Sequence, residues 1–172
     1  MESLVYKSLQ NVEIRRFNRR WCLLSQQWVP HPPDTIFPFF SEAQNLQLLT
    51  PNFLRFRILE APSGPLSTGS EISYRLHLHG MPVWWRTRIE DWTPPVRFSD
   101  VQLRGPFRYW HHLHEFQLDG AGTLLKDTVS FDLYCRKLYQ TPVLSWIDQD
   151  LRRIFLHRQK QIAAVFGEKS RR

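Results

Sequence analysis

The chain has 172 residues and a mass of 20.7 kDa, enough for one sizeable core and too little for two ordinary domains. Hydrophobic residues make up 42% and charged residues 23%, a balance that excludes an intrinsically disordered chain. A net charge of +7 and a pI near 9.8 favour anionic surfaces, whether nucleic acid, acidic lipid headgroups or an acidic protein, without choosing among them.

Met1 to Asn18 shows neither a helical nor a strand period, and Arg15, Arg16, Arg19 and Arg20 would repel one another unless solvated or bound to an anion. This part reads as a lead-in arm (1–18), followed by one domain (19–167) and a short tail (168–172). It lacks the apolar run of a leader, and no later stretch approaches the roughly 20 apolar residues of a membrane span, so the expected location is the cytoplasm. Cys22 and Cys135 match no metal spacing and read as inert thiols.

From Arg20 to Val29 the pattern of Trp21, Leu23, Leu24, Trp28 and Val29 predicts a first strand, stopped by Pro30-His31-Pro32-Pro33. Asp34 is a candidate cap for a short helix through Phe39, and Ser41 with Gln44 has the form of a capping box opening a second. After Thr50-Pro51, Leu54, Phe56 and Ile58 alternate with Arg55, Arg57 and Leu59 as in a half-buried strand.

Further strands are expected over Ser70 to His79, Val83 to Trp92, Arg97 to Arg104, Phe107 to Leu118 and Thr123 to Tyr134. The turns between them are too short for parallel crossovers, so these strands form an antiparallel meander. Thr141 and Pro142 suit the start of a helix, along which Leu144, Ile147, Leu151, Ile154, Phe155, Ile162 and Val165 recur at helical spacing up to Gly167. One sheet with one long helix to cover it must curl around that helix. The expected class is α+β: a curved antiparallel sheet of about seven strands, two short helices and one long C-terminal helix.

The ordered set Tyr74-Arg75-Leu76-His77-Leu78-His79-Gly80-Met81-Pro82, Trp92-Thr93-Pro94-Pro95 with Phe98, Asp100 and Gln102, Gly105-Pro106-Phe107 with Trp110, His112, His114 and Phe116, and Gly122-Thr123 with Asp127 and Val129 resembles the SRPBCC group of the START-like, birch-pollen-allergen-like superfamily, especially its bacterial cyclase/dehydrase-like members. The likeness spans about Gln26 to Phe166. It implies a helix-grip fold with a pocket for lipids, polyketides, isoprenoid-like or other apolar metabolites. Only some members are catalytic, so it supplies no reaction. Relatives also occur fused to sugar-nucleotide-epimerase-like domains, which implies a possible partner of that kind. After Tyr134 relatives carry a Pro- and Gly-containing turn where this chain has Cys135-Arg136-Lys137-Leu138-Tyr139-Gln140, so the cavity mouth is expected to differ.

In the strand from Phe107 to Leu118, the period of two sends Trp110, His112, His114 and Phe116 to one face. With Asp119 to Gly122 as the hairpin loop, Leu118 falls opposite Thr123, His114 opposite Asp127 and His112 opposite Val129. Val129 and Phe131 share the face of Asp127. The expected cavity wall is therefore Trp110, His112, His114, Phe116, Asp127, Val129 and Phe131, faced by Ile147, Leu151, Ile154 and Phe155 of the long helix.

A His114/Asp127 pair has three readings: a self-satisfied polar pair that locks strand register, a ligand-orienting group, or the catalytic pair of a cyclase or dehydratase. A metal held by His112, His114 and Asp127 is chemically possible, but the expectation is no metal and no cofactor. Trp84, Arg86, Arg88, Glu90 and Trp92 are expected to share the outer face of their strand, either as a stacking surface or as arginine stems covering rings. Neither a Gly-rich phosphate loop nor a serine-hydrolase elbow occurs. The expected function is binding or carriage of a hydrophobic small molecule. The alternatives are the His-Asp enzyme and a basic module for an acidic partner or nucleic acid; nucleic acid is not the expected partner, and a membrane surface is compatible with the charge.

Overall fold

Eight antiparallel strands form one open sheet in the order β1-β2-β8-β7-β6-β5-β4-β3 in the computed structural model, which describes residues 12–17, 20–135 and 142–167. The strands are β1 (Val12–Phe17), β2 (Arg20–Val29), β3 (Arg57–Glu60), β4 (Glu71–Leu78), β5 (Met81–Thr93), β6 (Arg97–Arg104), β7 (Tyr109–Asp119) and β8 (Gly122–Asp132). Helices α1 (Pro33–Ser41) and α2 (Leu46–Leu49) connect β2 to β3, and α3 (Pro142–Phe166) follows the sheet. The expected cap at Thr141, the divergent segment 136–140, the tail 168–172 and the arm's residues 1–11 and 18–19 lie outside the described residues.

The eighth strand is β1, which the sequence reads as part of an arm. It pairs with β2 from Val12↔Ser25 to Phe17↔Arg20, but only Val12 is buried. Val12 and the half-buried Ile14 alone turn toward the core, too short an alternation to mark a strand, and the exposed Arg15 and Arg16 suit a sheet edge.

Three local expectations differ from the structure for identifiable reasons. Pro33, not Asp34, occupies the start of α1, whose cap Pro32 has no side-chain donor or acceptor. The Ser41 hydroxyl donates back to the Phe37 carbonyl at 3.1 Å, so no capping box forms, and a 3-10 turn (Ala43–Asn45) leads into α2. The expected strand at Leu54 starts instead at Arg57. A 3-10 turn (Asn52–Leu54) satisfies the Leu54 and Arg55 amides, and Arg55 takes φ 45°.

A further difference matters for the cavity. Between Ile89↔Asp100 and Trp92↔Phe98 the β5–β6 register shifts by one residue on β5. This bulge turns Trp92 from the outer face it would share with Trp84 to the inner one, where it meets Phe37 at 5.2 Å and Phe98 at 5.3 Å between ring centroids. Trp84, before the bulge, stays outward and exposed, with Arg86 paired to Glu71 beside it.

Helix α3 crosses the concave face with Leu151, Phe155, Arg158, Gln159 and Ile162 buried, a spacing of three and four that faces one side. Gln159 ties it to β2, its Nε2 donating to Ser25 Oγ at 2.9 Å while its own carbonyl accepts from Gln27 Nε2 at 2.8 Å. At the other end Gly167, with φ 85°, ends the helix by donating its amide to the Ala163 carbonyl. His31, in the turn after β2, places its Nε2 3.0 Å from the Phe166 carbonyl.

The β7–β8 hairpin turns at Gly120 and Ala121 and keeps the register Leu118↔Thr123, His114↔Asp127 and His112↔Val129. A Cβ on Gly122 would overlap the Val29 carbonyl oxygen, which is backbone, and the Trp28 indole. Gly122→Ala is therefore expected to lower stability by about 1–3 kcal/mol, the range for overpacking, read from a urea midpoint; an unchanged midpoint would contradict this packing.

Candidate functional site

The inward face of the sheet does not close fully on α3. A cavity of about 220 Å³ remains between them. Its sheet wall includes Ile72, Tyr74, Leu76, Trp85, Thr87, Ile89, Phe98 and Trp110, sent inward by the period of two, and Phe107 joins them from the β6–β7 connection. Helix α3 contributes Ile147, Asp150, Leu151, Ile154, Phe155 and Arg158, and Phe39, Phe40, Leu46 and Leu49 close it from α1 and α2.

Of the residues expected in this wall, Trp110, His112, His114, Ile147, Leu151, Ile154 and Phe155 line the cavity. Phe116, Asp127, Val129 and Phe131 do not. They lie on the inner face, but other groups fill the space above them: Phe37 and Phe40 of α1 pack on Phe116 at 5.0 and 5.1 Å. Phe107 and Trp110 cover Phe131, and Val129 is sealed among Leu23, Leu151 and Phe155. Asp127 is screened from the cavity by the two imidazoles and Arg158 that contact it.

Six side chains make one polar corner in this apolar wall. Asp127 Oδ1 lies 2.8 Å from His114 Nδ1 and 3.0 Å from His112 Nε2. The remaining nitrogens face Asp100 Oδ2, His114 Nε2 at 3.2 Å and His112 Nδ1 at 3.7 Å. The two rings lie 3.7 Å apart between centroids, and His114 also stacks on Phe98 at 4.1 Å. Arg158 reaches in from α3, its Nε 3.4 Å from Asp127 Oδ2 and its Nη2 3.2 Å from His114 Nδ1. Thr87 donates its hydroxyl to Asp100 Oδ1 at 3.0 Å.

Burial pushes both carboxyls up, and their partners reverse it. At Asp127 the Arg158 guanidinium, with hydrogen bonds from His112 and His114, holds the carboxyl well below its usual range. At Asp100 the His114 hydrogen bond, the two imidazoles' electrostatics and the Thr87 hydroxyl achieve a smaller lowering. Burial and the adjacent His114 bring His112 down to about 4, against the pull of Asp127 and Asp100. His112 is therefore neutral at pH 7. Tyr74, buried and beside Asp100, is raised well above the phenol range and stays a neutral hydroxyl.

Asp100 and Arg158 are absent from the sequence-based wall, yet each left a signal. Asp100 pairs with His112 across β6 and β7, but the irregular turn around Gly105-Pro106 hides that register. Arg158 sits seven residues after Leu151 and three after Phe155, an arginine in the apolar stripe of α3. Asp150, outside the apolar stripe of α3, also lines the cavity.

Arg158 is 8% exposed and Asp127 9%, so removing one partner strands the other's charge in the interior. Arg158→Met is expected to cost about 3–5 kcal/mol in denaturant unfolding, and adding Asp127→Asn to it should recover most of that loss. A single variant as stable as the parent would show that the pair does not hold α3 to the sheet.

Solved structures repeat this architecture at low identity. A protein from Thermus thermophilus, TTHA0849, superposes with a TM-score of 0.64 at 14% identity, covering 84% of this chain and 98% of that one. Protein Ms6760 from Mycobacterium smegmatis gives 0.62 at 13% identity over 89% and 98%. Major latex-like protein 151 from Panax ginseng gives 0.59 at 14% identity over 84% and 96%. These likenesses establish the fold. No curated protein matches the sequence. No described helix is long and apolar enough to cross a membrane. The family described as polyketide cyclase / dehydrase and lipid transport matches residues 29–158, three quarters of the chain, and the chain therefore belongs to that family within the SRPBCC superfamily.

Proposed function

We propose that the chain binds and carries an apolar small molecule of the lipid, polyketide or isoprenoid class in the cavity between the sheet and α3, with the ligand's polar end at the corner formed by Asp100, His112, His114 and Arg158. The observation that carries this reading is the cavity itself: an apolar lining with polar groups gathered at one place, the usual composition of a small-molecule site. An apolar cavity of about 150 Å³ admits benzene. At about 220 Å³ this one suits a ligand of one or two rings or a short branched chain before any movement of α3.

Binding is favoured over the cyclase or dehydratase alternative because a general base needs an unengaged nitrogen facing substrate. Three of the four imidazole nitrogens of His112 and His114 lie within 3.2 Å of a carboxylate oxygen, and the fourth, His112 Nδ1, lies 3.7 Å from Asp100. The basic-module alternative has less support: Arg86 and Arg88 on the outer face are paired with Glu71 and Glu90, and Trp84 stands among them.

Ile154 is half-buried on α3 and lines the cavity, so a larger side chain there takes ligand space without disturbing the sheet. Ile154→Trp is expected to weaken binding of a two-ring apolar probe such as 2-naphthol, followed by its fluorescence, by at least about tenfold, equivalent to about 1.4 kcal/mol. Circular dichroism should remain unchanged. Equal affinity in both proteins, or no saturable binding by the parent, would remove the carrier reading.

A further inference from the structure

The polar corner proposed to orient the ligand also contains a second pattern. His112 Nδ1, His114 Nε2 and one Asp100 oxygen converge, and the ligand atoms offered by these three residues all lie within 4.8 Å of one another. Ligands about 2.0–2.2 Å from a tetrahedral ion sit roughly 3.3–3.5 Å apart. The Asp100 oxygen is already 3.2 Å from His114 Nε2 and 3.7 Å from His112 Nδ1.

The other sides of both rings are equally specific. His112 Nε2 and His114 Nδ1 both contact Asp127 Oδ1, at 3.0 and 2.8 Å. A metal-bound imidazole is neutral and donates its remaining N–H outward, most often to a carboxylate, which fixes the tautomer and aims the lone pair at the ion. When both rings donate to Asp127, three lone-pair atoms point at one another: two nitrogens and a carboxylate oxygen. A cation between them, a proton or a metal ion, removes the repulsion.

We propose that Asp100, His112 and His114 form a binding site for a divalent first-row transition-metal ion, with Asp127 as the shared outer carboxylate of both histidines and the open coordination position facing the apolar cavity. Two imidazoles and one carboxylate suit zinc, cobalt or ferrous iron, whereas calcium and magnesium prefer all-oxygen sites. Asp127 does not line the cavity and so cannot reach the ligand, but it sets the orientation of both rings. Arg158 Nη2, now 3.2 Å from His114 Nδ1, gives up that contact on metal binding, because Nδ1 then carries the proton given to Asp127. Ligand and ion then share one chamber, and an oxygen of the cavity ligand completes the coordination sphere. The site stands on these residues alone and does not require the carrier reading.

The test is titration of the full chain, stripped with a chelator, first with Co²⁺ followed by visible absorption and then with Zn²⁺ by calorimetry. One saturable ion per chain is expected, with ligand-field bands of a low-coordinate nitrogen and oxygen site that zinc abolishes. Asp100→Asn and His112→Gln should lose the bands, whereas Asp127→Asn should keep the ligands and weaken binding about 10–100-fold. His79→Gln, on the surface, should change nothing. No saturable binding by the parent, or bands that persist in both ligand variants, overturns the site. X-ray absorption of the zinc-loaded parent reads the coordination sphere without any variant: scattering from two imidazoles supports the assignment, and a sphere without them refutes it. The naphthol titration, run on the metal-free chain, reports on the apolar cavity separately.

Discussion

An ionised carboxylate buried between a sheet and a helix must be matched on every side, and Asp127 is that group here. It lies on β8, between β2 and β7, and its contacts come from the imidazoles of β7 and from the guanidinium of α3. Taking such a charge out of water costs several kcal/mol before its partners return any of it. The partners are thereby fixed as well. Arg158 sets the rotation of α3 about its axis, and that rotation presents Leu151, Ile154 and Phe155 to the cavity. His112 and His114, anchored from behind by Asp127, offer their outer nitrogens to Asp100 and their edges to the chamber.

Gln159, the next residue of the helix, completes the same constraint. Its contacts with Ser25, Gln26 and Gln27 lock α3 to β2, while Arg158 locks it to β8. Apolar packing alone is tolerant of sliding, because one methylene contact resembles the next. Two adjacent buried polar residues are not, since a one-residue shift would leave each without partners. The cavity can therefore persist under the helix instead of collapsing by a small adjustment of its position.

Much of this was legible in the sequence where geometry is local. The β7–β8 register follows from a tight hairpin, so the placement of His114 opposite Asp127 needs only counting along two strands. The strand alternation and the α3 stripe are likewise periodic signals. What was not legible depends on interruptions of those periods. The β5 bulge moves Trp92 inside by adding one residue, and nothing in the alternation of its neighbours announces where a bulge falls. The wide β6–β7 connection hides Asp100↔His112. The four inner-face residues that miss the cavity, Phe116, Asp127, Val129 and Phe131, show that facing inward and lining a space are different properties. The first follows from strand parity, the second from what α1, α3 and the neighbouring rings leave unfilled.

The polar corner also stands at the boundary of two aromatic groups. Phe98, Phe116, Phe37 and Trp92 belong to the core beneath α1, and Trp85, Phe107, Phe131 and Phe155 to the core beneath the first turns of α3. His114 stacks on a ring of the first, and His112 meets Phe155 of the second at 5.5 Å. Rings on both sides exclude water from the corner, which strengthens each interaction made there and raises the cost of leaving any group unmatched. On the carrier reading a molecule with one polar end would be favoured over a plain hydrocarbon: the apolar wall offers contact without orientation, and only the corner would distinguish one end of a ligand from the other.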